Sequence, residues 1–395
     1  MADDRLSERL RNGLTHLCAL AALGIAGRAA AATHGWLRVP PVDRLDDAPL
    51  LSILVPARDE ERAIERCVRS LLAQRLPAFE VIVVDDRSTD RTGAILAALA
   101  AEDSRLRVVR GAPLPDGWVG KPWALAQGVR SARGAWLLFT DADTWHAPHA
   151  TASAFAFARA RGVDALSLGV HQELGTFAER AILPTMLGLV LVASGSMAVL
   201  NDPADREHAL ANGQYLLVSR AAYDALGGHA ALRGEIVEDL AFARRLKADG
   251  RFRLLLAGGE ALVRVRMYTS LDEIWSGFTK NLYLGADGDL AALAAGTTVL
   301  ALLSVVPAAL ALDALVGRRP LRALEAALVL AVGIAIQDYG VRQVRLPRRL
   351  AWFAPLGYAA CAAIVLNSTA RVLGGRGVVW RGRRYTGRVP EPEQP

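Results

Sequence analysis

The sequence predicts an α/β protein: a mostly parallel sheet with helices on both faces, followed by transmembrane helices. Three observations support this. Short apolar segments alternate with helical patterns between residues 51 and 143, acidic residues follow two of these segments, and long apolar segments dominate the chain from residue 290 onward. Strands that alternate with helices form parallel sheets covered on both faces. An apolar segment of about 20 residues is long enough to cross a bilayer.

The composition agrees with a protein that is partly embedded in a membrane. Of the 395 residues, 52% are hydrophobic, and the net charge is +6. Much of the surplus charge is Arg near the apolar segments, which favours contact with the membrane bilayer over nucleic acid. The three cysteines, Cys18, Cys67 and Cys361, are far apart and predict neither a disulfide nor a metal site.

Residues 1–47 predict a membrane-associated helix and a linker. The segment 13–32 is mostly apolar and has about the length that a membrane span requires. A signal peptide is the alternative, but the charged start is mixed in sign and no clear cleavage site follows. We expect a retained anchor or an interfacial helix, and then a linker that contains Pro40 and Pro41.

An α/β domain is expected over residues 48–285. Apolar runs predict its strands, and apolar residues at helical spacing predict its helices. Strands are expected over 51–55, 80–85, 106–109, 135–139, 164–168 and 214–218, and helices near 64–72, after Asp90, from Lys121, over 238–247 and over 271–284. Ligands of open α/β sheets bind beyond the carboxyl ends of the strands, so the residues that follow these strands are the candidate site.

The apolar segments outside this pattern leave the membrane topology open. Residues 181–200 are equally compatible with a buried helix pair and with an interfacial helix that receives an apolar acceptor. Transmembrane helices are expected within 286–375, in three apolar segments at about 290–314, 323–340 and 351–373, and a basic tail is expected over 376–395. Basic loops at Arg318-Arg319 and 342–349 separate the three segments. Three full crossings cannot place both basic loops and the basic tail on one side, so the positive-inside rule does not fix the orientation.

Two acidic motifs follow predicted strands. Asp85 and Asp86 end the strand 80–85, and Asp141 and Asp143 follow the strand 135–139. An Asp-x-Asp motif at a strand end can bind one divalent cation, which can also hold a diphosphate. One such motif alone is equally compatible with a loop that caps a helix. Two acidic stretches in one domain, each after a predicted strand, favour a site for a nucleotide diphosphate.

Such a site needs four kinds of group. Asp85 and Asp86 can bind a base and a ribose, while Asp141 and Asp143 can hold the cation. Lys121 can approach the nucleotide, although a solvated surface lysine is the alternative. A carboxylate is also needed as general base for an acceptor hydroxyl.

Glu238 and Asp239 are the candidates for that base. They open a predicted helix late in the chain, and the alternative is that they only complement the helix dipole.

Together these motifs resemble the family 2 inverting glycosyltransferases, which have a GT-A fold (a Rossmann-like, nucleotide-sugar-binding fold). The motifs, which span about residues 50–285, are Pro56-Ala57-Arg58-Asp59-Glu60, Val84-Asp85-Asp86-x-Ser88-x-Asp90, Gly120-Lys121, Asp141-Ala142-Asp143 and Glu238-Asp239. The match narrows to a membrane-bound branch that includes hopanoid-associated and carotenoid glycosyltransferases. It does so through Gly117-Trp118-x-Gly120-Lys121-x-Trp123-Ala124, the apolar insert before Asn201-Asp202-Pro203, and Trp380-Arg381-Gly382-Arg383-x-Tyr385.

The resemblance implies a nucleotide-sugar donor, usually UDP-linked, and Mg²⁺ or Mn²⁺. It implies that the donor is bound by Pro56, Ala57, Glu60, Asp85, Asp86, Lys121 and Asp141, with the metal on Asp143 and Asp141 and catalysis by Asp239 or Glu238. The Gln-x-x-Arg-Trp motif of processive synthases is absent, which favours a single transfer.

The working hypothesis is a membrane-associated transferase that moves one sugar to a lipid or other apolar acceptor hydroxyl with inversion. We expect it in the cell inner membrane, crossing it several times, with the catalytic domain in the cytoplasm. The alternatives are a polyprenyl-phosphate sugar transferase, whose acceptor would need no base, and a transporter whose cytosolic domain only binds nucleotide.

Overall fold

The computed structural model describes residues 2–376, 378–380 and 383–385. These residues form two compact units. The sheet unit contains residues 35–173 and 197–267 with the strands at 378–380 and 383–385. The helix unit contains residues 2–34, 174–196 and 268–376. Most of the basic tail expected over 376–395 lies outside the described residues, including Arg381 and Gly382 of its motif.

The elements that the sequence predicts occur in the predicted order, and the structure adds an unpredicted helix at Ala150–Arg161 and several shorter elements. The strands are β1 Leu51–Ala57, β2 Phe79–Asp85, β3 Leu106–Arg110, β4 Trp136–Phe139, β5 Thr144–His146, β6 Ala165–Gly169, β7 His171–Gln172, β8 Leu216–Ser219, β9 Leu254–Gly258, β10 Val263–Val265, β11 Val378–Trp380 and β12 Arg383–Tyr385. The helices are α1 Ala2–Thr33, α2 Ile64–Leu72, α3 Thr92–Glu102, α4 Gly120–Ser131, α5 Ala150–Arg161, α6 Phe177–Ser194, α7 Met197–Leu200, α8 Arg220–Ala225, α9 Glu238–Asp249, α10 Leu271–Gly285, α11 Leu290–Leu302, α12 Val305–Val316, α13 Pro320–Gln343 and α14 Ala354–Leu373.

The main sheet has seven strands in the order β3-β2-β1-β4-β8-β6-β9. Strand β8 is antiparallel to both of its neighbours, β4 and β6, and the other neighbouring pairs are parallel. The predicted mostly parallel sheet is therefore confirmed. Because β1, β2 and β4 are parallel neighbours, the residues after their carboxyl ends meet at one edge of the sheet.

Both faces of the sheet are covered, as the continuous apolar strands predict. In β1, Ile53 and Val55 pack into the core cluster that contains Cys67 of α2, whereas Leu54 packs into a second cluster with Leu125 of α4. Alternate residues of a strand point to opposite faces, so β1 contributes to two cores. The apolar residues of α2 are buried at the helical spacing on which its prediction rests.

A second, three-stranded sheet has the order β5-β10-β7. It was not predicted, because strands of two or three residues are too short to show a period in the sequence. The sequence also does not predict β9, the buried edge strand at Leu254–Gly258. The small sheet begins directly after Asp143, since β5 starts at Thr144.

Among the residues that the structure describes, five helical segments are long and apolar enough to cross a membrane. They are Glu8–Thr33, Phe177–Ser194, Leu290–Val316, Pro320–Gln343 and Arg348–Leu373. The expected segment 290–314 is interrupted at Leu303 and Ser304, between α11 and α12. The insert 181–200 consists of α6, which contains Pro184, and the separate short helix α7. Its interfacial role stays a prediction.

Helix α10 belongs to the helix unit, although the sequence places it at the end of the α/β domain. Ser368 of α14 donates a hydrogen bond to the carbonyl of Thr279 over 2.6 Å, and Asn367 donates to the Thr279 hydroxyl over 3.0 Å. These contacts join α10 to α14 within the helix unit, whereas the sequence groups α10 with the sheet domain. No pattern within residues 271–284 alone distinguishes the two partners.

Candidate active site

Two loops follow β1 and β2 and are joined by hydrogen bonds. Pro56 and Ala57 end β1 and pair with Val84 and Asp85 at the end of β2. The amide of Glu60 donates to the Thr92 hydroxyl over 2.8 Å. Asp59 and Asp90 extend this network, because each carboxylate accepts a backbone amide of the other loop. The motif residues that follow β1 and β2 therefore form one hydrogen-bonded edge.

Asp85 and Asp86 differ in their surroundings. Asp86 is buried, and its carboxylate lies 3.9 Å from the Arg58 guanidinium, which also donates to the Asp86 carbonyl over 3.3 Å. Asp85 is half-buried and accepts the amide of Ser88 over 3.0 Å.

Gly111 faces both residues. A Cβ there would lie 3.0 Å from the Asp85 carbonyl and from the Asp86 Cα, so a side chain at this position would displace the edge.

Lys121 joins two of the predicted motifs. Its Nζ atom lies 2.7 Å from Oδ1 of Asp141 and 2.7 Å from Oε1 of Glu238. Asp141 follows β4, Glu238 opens α9, and Lys121 lies in the first turn of α4. The structure thus excludes the alternative of a solvated surface lysine, because the ammonium group bridges two carboxylates.

Burial and the charges of this cluster give the neighbouring acids Glu238 and Asp239 different pKa values. Burial alone would lower the pKa of Lys121, but Asp141, Glu238 and Asp239 raise it well above its usual range. Burial would raise the pKa of Glu238, but Lys121 holds it below the ordinary value. Burial, followed by the charge of Glu238, raises the pKa of Asp239 to about 6. A carboxylate with a raised pKa is the better proton acceptor near neutral pH.

Two backbone amides hold Asp239. Its Oδ2 atom accepts the amide of Gly213 over 2.7 Å, and its Oδ1 atom accepts the amide of Leu240 over 2.8 Å. A Cβ at Gly213 would lie 2.9 Å from Lys121 Nζ and 3.2 Å from Asp239 Oδ2. A side chain at residue 213 would therefore have to displace the Lys121 ammonium group, and glycine lets the loop before β8 approach the carboxylates without this displacement. The sequence did not indicate Gly213, because its partners are distant in the chain.

Polar contacts beneath Asp141 connect β4 to the same loop. The Thr140 hydroxyl donates to the carbonyl of Gln214 over 2.7 Å, and the Thr144 hydroxyl donates to the carbonyl of Asp141 over 2.8 Å. Both threonines are buried. The turn that carries Asp141 and the loop that anchors Asp239 are thereby held to one another.

A small cavity of about 10 Å³ lies among these side chains. Lys121, Glu238 and Asp239 line it, together with Phe139 and His229. His229 belongs to none of the motifs that the sequence analysis singled out. The one signal that could have indicated it is the pair of glycines before it, since paired glycines allow close backbone approach.

Asp143 is half-buried, and its charge acts on the buried Cys67 thiol together with those of Glu60 and Asp141. Burial first, and then the charges of Asp143, Glu60 and Asp141, raise the pKa of the Cys67 thiol, opposed only by a hydrogen bond from Thr144. The thiol is fully buried, so the structure agrees with a packing role for Cys67.

Asp141 and Asp143 are the residues predicted to hold the metal. Within the described ranges, no three His, Cys, Asp or Glu side chains are grouped so that they could hold a metal ion. Mg²⁺ sites in nucleotide enzymes, however, often contain only one or two carboxylates, with phosphate oxygens and water as the other ligands. Asp141 already attracts one cationic group, the ammonium of Lys121. The carboxylates of Asp141 and Asp143 therefore fit a cation whose other ligands are diphosphate oxygens and water. The metal role of these two residues stays a proposal.

The fold and this edge of the sheet define a GT-A protein. A solved structure of the same fold is the mannosyltransferase PcManGT from Pyrobaculum calidifontis in complex with GDP-Man and Mn²⁺. The two are 18% identical with a TM-score of 0.50, over 93% of this chain and 98% of that chain. Residues 52–194 match the family model described as "Glycosyl transferase family 2", and this segment is a domain of that family.

Curated relatives support the same family. The 4,4'-diaponeurosporenoate glycosyltransferases of Staphylococcus aureus strains MRSA252 and USA300 are each 28% identical over 253 residues, 60% of this chain. The match covers 62% of the length of those proteins. The predicted resemblance to family 2 glycosyltransferases, including carotenoid-type members, is confirmed.

Proposed function

We propose that the protein is a membrane-associated glycosyltransferase that transfers one sugar from a UDP-linked donor to the hydroxyl group of a lipid or other apolar acceptor, with inversion. The family 2 domain and the glycosyltransferase relatives support the reaction class. The observation that carries the mechanism is the arrangement of Asp239 beside the pair formed by Lys121 and Glu238.

The donor side of the site consists of the ends of β1 and β2. Asp85 and Asp86 would bind the base and the ribose, supported by Pro56, Ala57 and Glu60. Arg58 and Gly111 would keep Asp86 in place. This assignment rests on the hydrogen-bonded loops after β1 and β2, which hold Asp85 and Asp86 at the carboxyl edge of the sheet, where ligands of such sheets bind.

Asp141 and Asp143 would hold Mg²⁺ or Mn²⁺. A bound divalent cation supplies electrostatic neutralisation of the diphosphate leaving group. Lys121, which contacts Asp141 in this structure, is the residue that can bring a second positive charge to the phosphate oxygens. Lysine acts there as a point charge on a flexible stem.

Asp239 would remove the proton from the acceptor hydroxyl as the oxygen attacks the anomeric carbon. Its pKa of about 6 makes it a better base than Glu238, whose pKa is held low by Lys121. Attack on the face opposite the diphosphate inverts the configuration. Glu238 then has a positioning role, because it holds the ammonium group of Lys121 beside Asp239.

The helix unit supports an acceptor that is dissolved in a membrane. Its five apolar segments are long enough to cross a bilayer, and we place the protein in the cell inner membrane with the sheet unit in the cytoplasm. The acid that names the Staphylococcus aureus relatives, 4,4'-diaponeurosporenoate, supports a lipid-like acceptor for this chain as well.

The test is sugar transfer by the purified full chain in lipid vesicles. A panel of nucleotide sugars is assayed with Mg²⁺ or Mn²⁺, with apolar alcohols and polyprenyl phosphates as acceptors, and the anomeric configuration of the product is read by NMR. Transfer to an alcohol with inversion supports the proposal, and Asp239→Asn serves as the inactive control. Transfer to polyprenyl phosphates alone, or no turnover of any donor, contradicts it.

A further inference from the structure

We propose that His229 is a substrate-binding residue, whose Nε2–H group donates a hydrogen bond to a substrate hydroxyl in the cavity beside Asp239. This inference rests on the proposed function and adds a residue that the motifs did not assign. His229 is 5% exposed and lines the same small cavity as Glu238 and Asp239. It lies outside the matched family segment 52–194.

The first step concerns the tautomer of the imidazole ring. The backbone amide of His229 donates to the hydroxyl oxygen of Tyr223 over 3.0 Å, and the same hydroxyl lies 2.8 Å from His229 Nδ1. Among the described residues, Nδ1 of His229 is the atom that can accept a hydrogen bond from the Tyr223 hydroxyl. A buried hydroxyl without an acceptor is unfavourable, so Tyr223 donates and Nδ1 accepts. The ring proton of a neutral imidazole then resides on Nε2.

The second step concerns the charge of both partners. Burial lowers the pKa of His229 to about 4, so the imidazole is neutral near pH 7. Burial raises the pKa of Tyr223 to about 12, so the phenol keeps its proton. The ring edge of His229 packs against Phe139 at a centroid distance of 4.8 Å. The imidazole is therefore a fixed, uncharged group that donates a hydrogen bond through Nε2–H and does not act as a general base.

The third step explains how the sequence builds this pair. Gly228 has a φ of +52°, and a Cβ there would lie 2.6 Å from Cε1 and Cζ of Tyr223. Only glycine allows both the left-handed backbone and the close approach of the tyrosine ring. The turn at Gly227 and Gly228 thus places the Tyr223 hydroxyl against His229.

The size of the cavity, and the charged side chains of Lys121, Glu238 and Asp239 in its lining, indicate the ligand. A volume of about 10 Å³ accommodates one water-sized group. A hydroxyl is such a group, and it can donate to a carboxylate of Asp239 or Glu238 while it accepts from His229. The hydroxyl could belong to the transferred sugar or to the acceptor, and the experiment separates the two.

The experiment compares His229→Phe, which removes the Nε2–H donor and also the Nδ1 acceptor of Tyr223, with His229→Gln, whose amide nitrogen can replace Nε2 and whose amide oxygen can replace Nδ1. Transfer rate, acceptor-free hydrolysis of the donor and UDP affinity are measured for the full chain in vesicles. We expect His229→Phe to lower transfer by about 10-fold or more, as loss of a substrate hydrogen bond does, with UDP affinity unchanged and with partial recovery in His229→Gln. A loss in hydrolysis as well assigns the hydroxyl to the donor sugar, and a loss in transfer alone assigns it to the acceptor.

Two controls separate substrate binding from folding. Leu99→Ala, a core truncation in α3, should lower thermal stability but not the transfer rate per folded molecule. Nitrogen NMR shifts of His229 should show protonated Nε2 and unprotonated Nδ1 in the wild type. The inference is wrong if His229→Phe transfers at the wild-type rate, if His229→Gln recovers nothing, or if Nδ1 carries the proton. The proposed function fails separately, if the wild type transfers no sugar.

Discussion

The ammonium group of Lys121 lies 2.7 Å from Oε1 of Glu238, and this contact distinguishes Glu238 from its neighbour Asp239. Glu238 is the partner of a cation and keeps a low pKa, whereas Asp239 is bound by backbone amides and has a raised one. Two adjacent carboxylates thus acquire different pKa values from their surroundings. When environments move two pKa values apart, the group with the higher value is suited to accept a proton.

The first prediction concerns the base. Asp239→Asn should lower the transfer rate by about 10²–10⁴, the usual contribution of a general base, while donor affinity stays near that of the wild type. Glu238→Gln should be milder in transfer but should weaken donor binding, because Lys121 loses a partner. Donor titration and single-turnover transfer distinguish the two. An inactive Glu238→Gln beside a normal Asp239→Asn would reverse the assignment.

The second prediction concerns pH. The rate of single-turnover transfer should rise as pH increases through about 6, because Asp239 must lose its proton before it can act as a base. Lys121 lowers this pKa through its positive charge. Lys121→Met should therefore move the rise to higher pH, and a profile that keeps its midpoint in Lys121→Met would refute the coupling.

The third prediction concerns the metal. Asp143→Ala should abolish turnover and weaken binding of UDP, because one of two carboxylates for the cation is lost. EDTA should have the same effect on the wild type. Asp249→Ala is a matched control, since Asp249 pairs with Arg251 on the surface. Full activity of Asp143→Ala, or of the wild type in EDTA, would show that the site needs no divalent cation.

The fourth prediction concerns Gly213. Gly213→Ala should lower the transfer rate by about 10-fold, an effect on the order of one lost charged hydrogen bond. The new methyl group would stand 2.9 Å from Lys121 Nζ and 3.2 Å from Asp239 Oδ2. Gly340→Ala is the control, because a Cβ there has no heavy atom within 4 Å. Equal rates for the two variants would show that Lys121 moves aside without consequence.

The fifth prediction concerns the membrane. The protein should stay in the membrane pellet after carbonate or high-salt washing, because each of its long apolar segments buries about 20 residues in lipid. Immunoblotting of the pellet and the supernatant measures this. Release by carbonate would mean that these helices pack only against one another.

The sequence alone determined the parts of this protein that depend on local pattern. Continuous apolar runs specify β1, β2 and β4, and the acidic residues that follow them mark the carboxyl edge of the sheet, because strand direction is fixed once helices connect the strands. The candidate residues Asp85, Asp86, Asp141 and Asp239 were found in this way.

Only the tertiary structure decided how these residues combine. Lys121 meets Asp141 and Glu238, and Gly213 meets Asp239, because four parts of the chain converge at one edge. Contacts of this kind carry no local period, and the pKa of Asp239 depends on them and on burial. The same holds for His229, whose role follows from a glycine turn and a tyrosine hydroxyl. Sequence pattern specifies which groups reach the edge of the sheet, and packing specifies which of them touch.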